Sequence, residues 1–244
     1  VDGRKVTGWR WGRGPLVYLV HGWGGTGGRL AAFVSPLVAQ GHAVVAFDAP
    51  GHGGSRLAMS SMPEFARALL AVADLCGPAH AVIGHSLGAA ASALAVAQGL
   101  APKRLVLIAP PADPGAFLIP FAGALHLSPE VMARLQARSE RRLRFRWTDL
   151  DLRRMQPPHP VPLLVVHDRD DRTVPIENGA AVAASWKGRL LETSGMGHAG
   201  VLRHPDVVRA VLSFVAEEED APEPLPLSEG SALEWSLFHP AARV

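Results

Sequence analysis

Among 244 residues the chain has one cysteine, one tyrosine and few aromatics, and it lacks any apolar run of the roughly 20 residues that a helical membrane span needs. Cys76 alone cannot close an intrachain disulfide, so disulfide frameworks are excluded and a cytoplasmic location is expected. A small buried position on a helix is the expected place for it. The chain starts at Val1, so a preceding targeting segment would not be visible in it. Lys and Arg number 24 against 22 Asp and Glu. The basic pI of 9.1 therefore reflects a small arginine excess, and no nucleic-acid partner is expected. Disorder and collagen-like structure are excluded by a composition that is 48% apolar with dispersed Gly and Pro.

What is present is enough apolar material for one large core, and the expectation is a single domain over residues 1–216. Strand-length apolar runs at residues 6–11, 16–21, 43–48, 79–84, 105–109, 163–167 and 189–193 alternate with helical stretches at 29–40, 63–76, 87–98, 176–186 and 205–216. That alternation predicts an α/β fold: a mostly parallel central sheet with helices on both faces. Prolines bracket an interruption at about residues 111–158, which reads as an insertion between two strands. Its second half carries eight arginines against four carboxylates between residues 130 and 154. Beyond residue 216 the chain turns acidic and Pro-rich, through Glu217, Glu218, Glu219, Asp220, Glu223 and Glu229. Residues 217–244 thus read as a tail, in which Leu233, Trp235, Leu237 and Phe238 either dock as a short helix or stay loose.

The first glycine-rich turn has two readings. Gly22, Gly24 and Gly27 fit G-x-G-x-x-G after a strand, with Asp48 about 20 residues on, which is the pattern of a dinucleotide site and would make the chain an NAD(P) oxidoreductase. Short-chain dehydrogenases with such a start use a Tyr and a Lys one helical turn apart, and the only Tyr here, Tyr18, lies inside the first core strand.

The other reading starts at Gly84-His85-Ser86-Leu87-Gly88, a G-x-S-x-G sequence between an apolar strand and an Ala-rich helix. A strand that turns sharply into a helix exposes the serine above the sheet, and the flanking glycines let neighbouring backbone pass close by. Four further segments stand in order around it: His21-Gly22-Trp23-Gly24-Gly25, the run from Phe47 to Ser55 (FDAPGHGGS), His167 to Pro175 (HDRDDRTVP), and Gly195-Met196-Gly197-His198. On these five motifs, which extend over nearly the whole length, the chain resembles the α/β-hydrolase family of serine esterases, lipases and their relatives.

The resemblance implies a Ser-His-Asp triad with no cofactor and no metal. Ser86 would be the nucleophile and His198, in the glycine turn after the last strand, its base. Matching Asp171-Arg172-Thr173-Val174-Pro175 to the family's DxxVP puts the orienting acid on Asp171. Asp113 occupies the alternative place after the preceding strand. Asp168 and Asp170 then read as turn residues satisfying local backbone N–H groups. The oxyanion donors would be the backbone N–H of Leu87, at the start of the elbow helix, and that of Trp23. Asp48, His52 and Ser55 read as braces of the turn beneath the oxyanion loop.

The expected reaction is hydrolysis of a small-molecule carboxylic ester or thioester through an acyl-enzyme. Carbon–carbon bond hydrolysis and perhydrolysis remain alternatives, because fold and triad do not fix the chemistry. The insertion stands where this family has its lid. Phe117, Leu118, Ile119, Phe121, Leu125 and Leu127 either line an acyl site or merely cover the sheet. The arginines either attract an anionic substrate or acidic carrier protein, or form a solvated helix face. No H-x-H-x-D-H or HExxH spacing for a metal occurs.

Overall fold

The strands are written in residues that alternate by face. In β2 (Leu16–Val20) Tyr18 and Val20 enter one apolar cluster while Val17 and Leu19 enter another, and the same division holds in β3 (Ala43–Phe47), where Val45 and Phe47 oppose Val44 and Ala46. A strand that buries both faces must be covered twice, which is why helices lie on both sides of the sheet. The computed structural model describes residues 5–55, 60–115 and 126–217 and the backbone of residues 234–237.

Among the described residues eight strands form one sheet in the order β1-β3-β2-β4-β5-β6-β7-β8, with β1 Gly8–Trp11, β4 Ala79–His85, β5 Arg104–Ile108, β6 Leu163–Asp168, β7 Arg189–Thr193 and β8 Glu234–Leu237. Six central strands are parallel, and the edge strands β1 and β8 run antiparallel to β3 and β7. One face is covered by α2 (Met62–Cys76), α3 (Leu87–Ala97) and α5 (Ile176–Ser185), with Phe65, Leu69, Leu94 and Val182 buried against Leu105, Leu107 and Val165. On the other, the 3-10 helix Gly27–Phe33, α1 (Val34–Ala39) and α7 (Pro205–Ala216) bury Leu30, Phe33, Leu37, Val211 and Phe214 against Ile83, Val106 and Val166. The remaining described helices are the 15-residue α4 (Pro129–Leu143) and two 3-10 turns, Trp147–Leu150 and Leu152–Arg154, in the insertion, and the short α6 (Gly197–Gly200) after β7.

Three expectations are corrected. The stretch at 29–40 is a 3-10 helix before it becomes α1, with a non-helical kink at Leu30. Gly27 and Gly28 are poor helix formers, and Pro36 has no N–H to bond back to residue 32. The tail segment at 234–237 is a strand, neither helix nor loose coil; it pairs with β7, whose outer edge would otherwise leave its backbone groups unpaired. Cys76 ends α2 half-buried, not fully buried.

Within the insertion, Ser128 caps α4 by accepting from the N–H of Val131 at 3.4 Å, and Pro129 opens the helix where no N–H is needed. No α4 side chain is fully buried. Met132, Gln136, Ser139, Glu140 and Leu143 form its half-buried face, and Arg134, Arg138 and Arg141 lie exposed on the opposite one. After α4 the chain is anchored firmly: Leu150, Leu152 and Met155 join the core, and the Trp186 indole N–H donates to the Leu152 carbonyl at 2.8 Å. Phe117, Leu118, Ile119, Phe121 and Leu125 lie outside the described residues, whereas Leu127 is half-buried. No described helix is long and apolar enough to cross a membrane.

Parallel pairing brings the carboxyl ends of β2, β3, β4 and β6 to one edge of the sheet. Beyond β2 the chain crosses to β3 on one side, and β4 lies on the other, so a crevice opens at this reversal.

Candidate active site

Ser86 follows β4 directly and has φ 53° and ψ −122°, a left-handed conformation that a non-glycine residue rarely holds without a reason. Close packing around the turn enforces it. A Cβ on Gly84 would stand 2.7 Å from the Cα of Ala89, one on Gly88 2.3 Å from the carbonyl oxygen of His21, and one on Gly22 2.9 Å from the Cβ of Ser86. The elbow, the first turn of α3 and the end of β2 therefore touch backbone to backbone. Ser86 is half-buried and its hydroxyl does not cap the helix it opens. Leu87 is the first residue of α3, where N–H groups have no intrahelical acceptor.

The loop carrying Trp23 is held from beneath. His21 is fully buried; its Nδ1–H donates to the Gly22 carbonyl at 2.7 Å and its Nε2 accepts from the Ala49 N–H at 2.9 Å, while burial pushes its pKa down and keeps it neutral. His52 Nε2 accepts from the Gly24 N–H at 2.9 Å. Asp48 accepts from Gly27 N–H at 2.7 Å with one oxygen and from Gly54 N–H at 2.8 Å with the other. Asp48 and His52 thus brace the loop as expected, whereas Ser55 binds the N–H of Thr7 and fastens the approach to β1. The Trp23 side chain is 64% exposed, edge-on to the His52 ring at 5.5 Å. Both oxygens of the carboxylate that a dinucleotide ribose would need are thereby engaged by backbone. Tyr18, fully buried, gives its hydroxyl to the Gly77 carbonyl at 2.6 Å, and burial pushes its pKa up to about 12.

His198 lies on α6. Its Nδ1 is 2.7 Å from Asp171 Oδ2, and Asp171 Oδ1 accepts from the N–H groups of Thr173 and Val174 at 2.8 and 2.9 Å. Burial alone would raise the Asp171 pKa, but His167, His198 and the Val174 N–H outweigh it and hold the carboxyl well below its usual range. His167 Nε2 lies 3.5 Å from Asp171 Oδ2 and 2.8 Å from the Val174 carbonyl. Asp113 is half-buried in the insertion, close enough to Arg153 to interact electrostatically.

Of the two further acids near Asp171, Asp168 keeps the local backbone bond read from sequence, to the Asp170 N–H, but both also act at long range. Asp168, fully buried, accepts from Gly197 N–H at 2.9 Å, Met196 N–H at 3.2 Å and Thr193 hydroxyl at 2.6 Å, besides Asp170 N–H at 3.0 Å. Asp170 accepts from Gly195 N–H at 2.7 Å. These bonds cross from β6 to the turn after β7, and the glycine turn continues into a short helix over residues 197–200. His85 also escaped sequence reasoning: its Nε2 lies 2.9 Å from the His198 carbonyl, and the two rings are 4.7 Å apart. Its membership of the elbow motif was the one available signal. His204, before Pro205, caps α7 by accepting from the Asp206 N–H at 3.4 Å.

Residues 17–211 match the Alpha/beta hydrolase family. The chain belongs to this family. It is 42% identical over 110 residues to a pimeloyl-[acyl-carrier protein] methyl ester esterase of Methylococcus capsulatus, an alignment covering 43% of this chain and only 42% of that protein's length. A protein of the same name from Stenotrophomonas maltophilia is 31% identical over 253 aligned positions, 84% of this chain and 94% of the relative. Among solved structures, an esterase from Exiguobacterium antarcticum superposes with a TM-score of 0.69 at 18% identity, covering 89% of this chain and 97% of the other. Among the described residues no group of three or more His, Cys, Asp or Glu side chains is arranged to hold a metal ion.

Proposed function

We propose that this α/β-hydrolase is a serine-type carboxylic ester hydrolase that works through an acyl-enzyme. The observation that carries the reading is the buried, ionised Asp171 bonded to His198 Nδ1, at the same sheet edge as a serine held in a left-handed turn. In this scheme the Nδ1–H bond leaves His198 Nε2 as the basic nitrogen, which takes the Ser86 proton as the hydroxyl attacks the ester carbonyl. Asp171 stabilises the imidazolium that forms. The backbone N–H groups of Leu87 and Trp23 receive the developing oxyanion, and His198 returns the proton to the departing alcohol or thiol; water then repeats the sequence to release the acid. The braces on His21, Asp48 and His52 keep the Trp23 N–H from reorganising during the reaction.

The substrate reading is an acyl ester or thioester that is anionic or carried on an acidic protein. Two supports stand behind it: relatives named for an acyl-carrier-protein methyl ester, and the exposed basic face of α4, which forms part of the lid in this reading. A fluorophosphonate probe should add once to the wild-type protein by intact mass and not at all to Ser86→Ala. No wild-type adduct would refute the reading. Full labelling without turnover of any short or medium p-nitrophenyl ester would point instead to another reaction on the same residues.

A further inference from the structure

The nucleophile and its base come from parts of the chain 112 residues apart, and one direct bridge between them is the residue before the nucleophile. His85 is 4% exposed at the end of β4, and its Nε2 lies 2.9 Å from the backbone carbonyl of His198. A carbonyl only accepts, so Nε2 carries the proton and donates it. In that tautomer Nδ1 bears a lone pair, and it is buried without a partner among the described residues. Leaving a buried acceptor unpaired is costly, and a leucine or phenylalanine would avoid the cost. The retained imidazole is therefore explained by its N–H donor, not by packing alone.

We propose that His85 is a positioning residue: its Nε2–H, fixed to the His198 carbonyl, sets the distance of the His198 imidazole from Ser86. The inference rests on the reading of Ser86 and His198 as nucleophile and base. The geometry is economical, because Ser86 and His85 share one peptide unit of the elbow, so a single side chain references the base to the backbone that carries the nucleophile. Asp168 holds the start of the same short helix through the N–H groups of Met196 and Gly197. The His85 ring also lies 4.7 Å from that of His198 at 45°, forming a floor beneath it. When His198 accepts a proton, a second cation at this distance would oppose it. Burial, and then the neighbouring His198, push the His85 pKa down to about 4, so the ring is neutral at pH 7. The hydrogen bond to the His198 carbonyl opposes the shift, Arg29 adds to it, and Asp171 opposes it.

The test compares His85→Gln, whose amide N–H reaches a similar point, with His85→Leu, which has no donor, and His85→Met, a flexible chain of Gln's length without one. With p-nitrophenyl butyrate, kcat should fall about 10- to 100-fold in Leu and Met with KM changed less than about threefold, since a misplacement on the order of 1 Å is costly at this step. Gln should recover to within about threefold of wild type. The downfield proton resonance of the His198–Asp171 hydrogen bond should broaden or move in Leu and Met and be retained in Gln, a signature that a purely structural role would leave in place. If Leu does not fold, the Gln and Met pair decides. Equal kcat in Gln and the donor-free variants overturns the inference. Ser86→Ala separates the two levels: turnover or probe labelling surviving that change would sink the reading of the catalytic pair itself, whatever His85 does.

Discussion

Gly88→Ala puts the geometry of the elbow at risk with one methyl group. The added carbon would lie 2.3 Å from the carbonyl oxygen of His21 and 2.4 Å from that of Val20. Even a close C–H···O contact needs about 3.3 Å, so the shortfall is about 1 Å. Backbone of a central strand stands on the far side, not the movable end of a side chain, so α3 must slide away from β2. Overpacking costs about 1–3 kcal/mol in ordinary cores, and backbone obstruction puts this site at the upper end. Alanine returns up to about 1 kcal/mol in helix propensity. The net loss is then about 2 kcal/mol, or about 4–8 °C in Tm for a chain of this size. Activity should suffer more than stability. Sliding α3 by about 1 Å separates Leu87 N–H and Ser86 from the Trp23 loop by the same amount, which is worth about 100-fold in kcat. Calorimetry and single-turnover p-nitrophenyl ester kinetics on the same preparation measure both effects. A variant with wild-type Tm and wild-type acylation rate would refute the argument that backbone contact at Gly88 holds the site together.

Asp171→Asn should lower kcat by several orders of magnitude and Asp113→Asn by less than about threefold, because only the former offers an amide where the His198 Nδ1–H must donate; the reverse ranking in steady-state assays would move the acid. Asp168→Asn should cost about 2–3 kcal/mol in urea unfolding at pH 7, since the amide cannot accept from all of its present donors. Burial raises the Asp168 pKa, but Thr193 and the N–H groups of Gly197, Asp170 and Met196 together bring it below the ordinary carboxyl value. Its contribution is therefore present above about pH 4 and lost as pH falls through the lowered folded pKa, so the stability difference between wild type and Asp168→Asn should shrink on acidification. Replacing Arg138, Arg141 and Arg142 with Gln should weaken turnover of esters with a distal carboxylate and spare neutral esters of equal length, the difference fading at high salt. Identical kinetics for both ester classes at every salt concentration would return these side chains to a solvated helix face.

The sequence by itself determined the layered fold and the segments that meet at the site. Apolar alternation in residues such as Val17, Tyr18 and Leu19 is enough to call for a sheet covered twice, and glycines at 84 and 88 already announce backbone passing close to a serine. These are local signals, written at spacings of two to five residues. Contacts that span the chain were not legible in the same way. Three aspartates within four positions are nearly equivalent as text, yet β6 lies beside β7, and that register turns Asp171 to the His198 ring while Asp168 and Asp170 bind the backbone of residues 195–197. His85 acquires its acceptor 113 residues away only when β4 and α6 converge at one sheet edge. The strand at 234–237 likewise forms because an open edge of β7 is there to be paired, a demand made by the assembled sheet and absent from the segment's own composition.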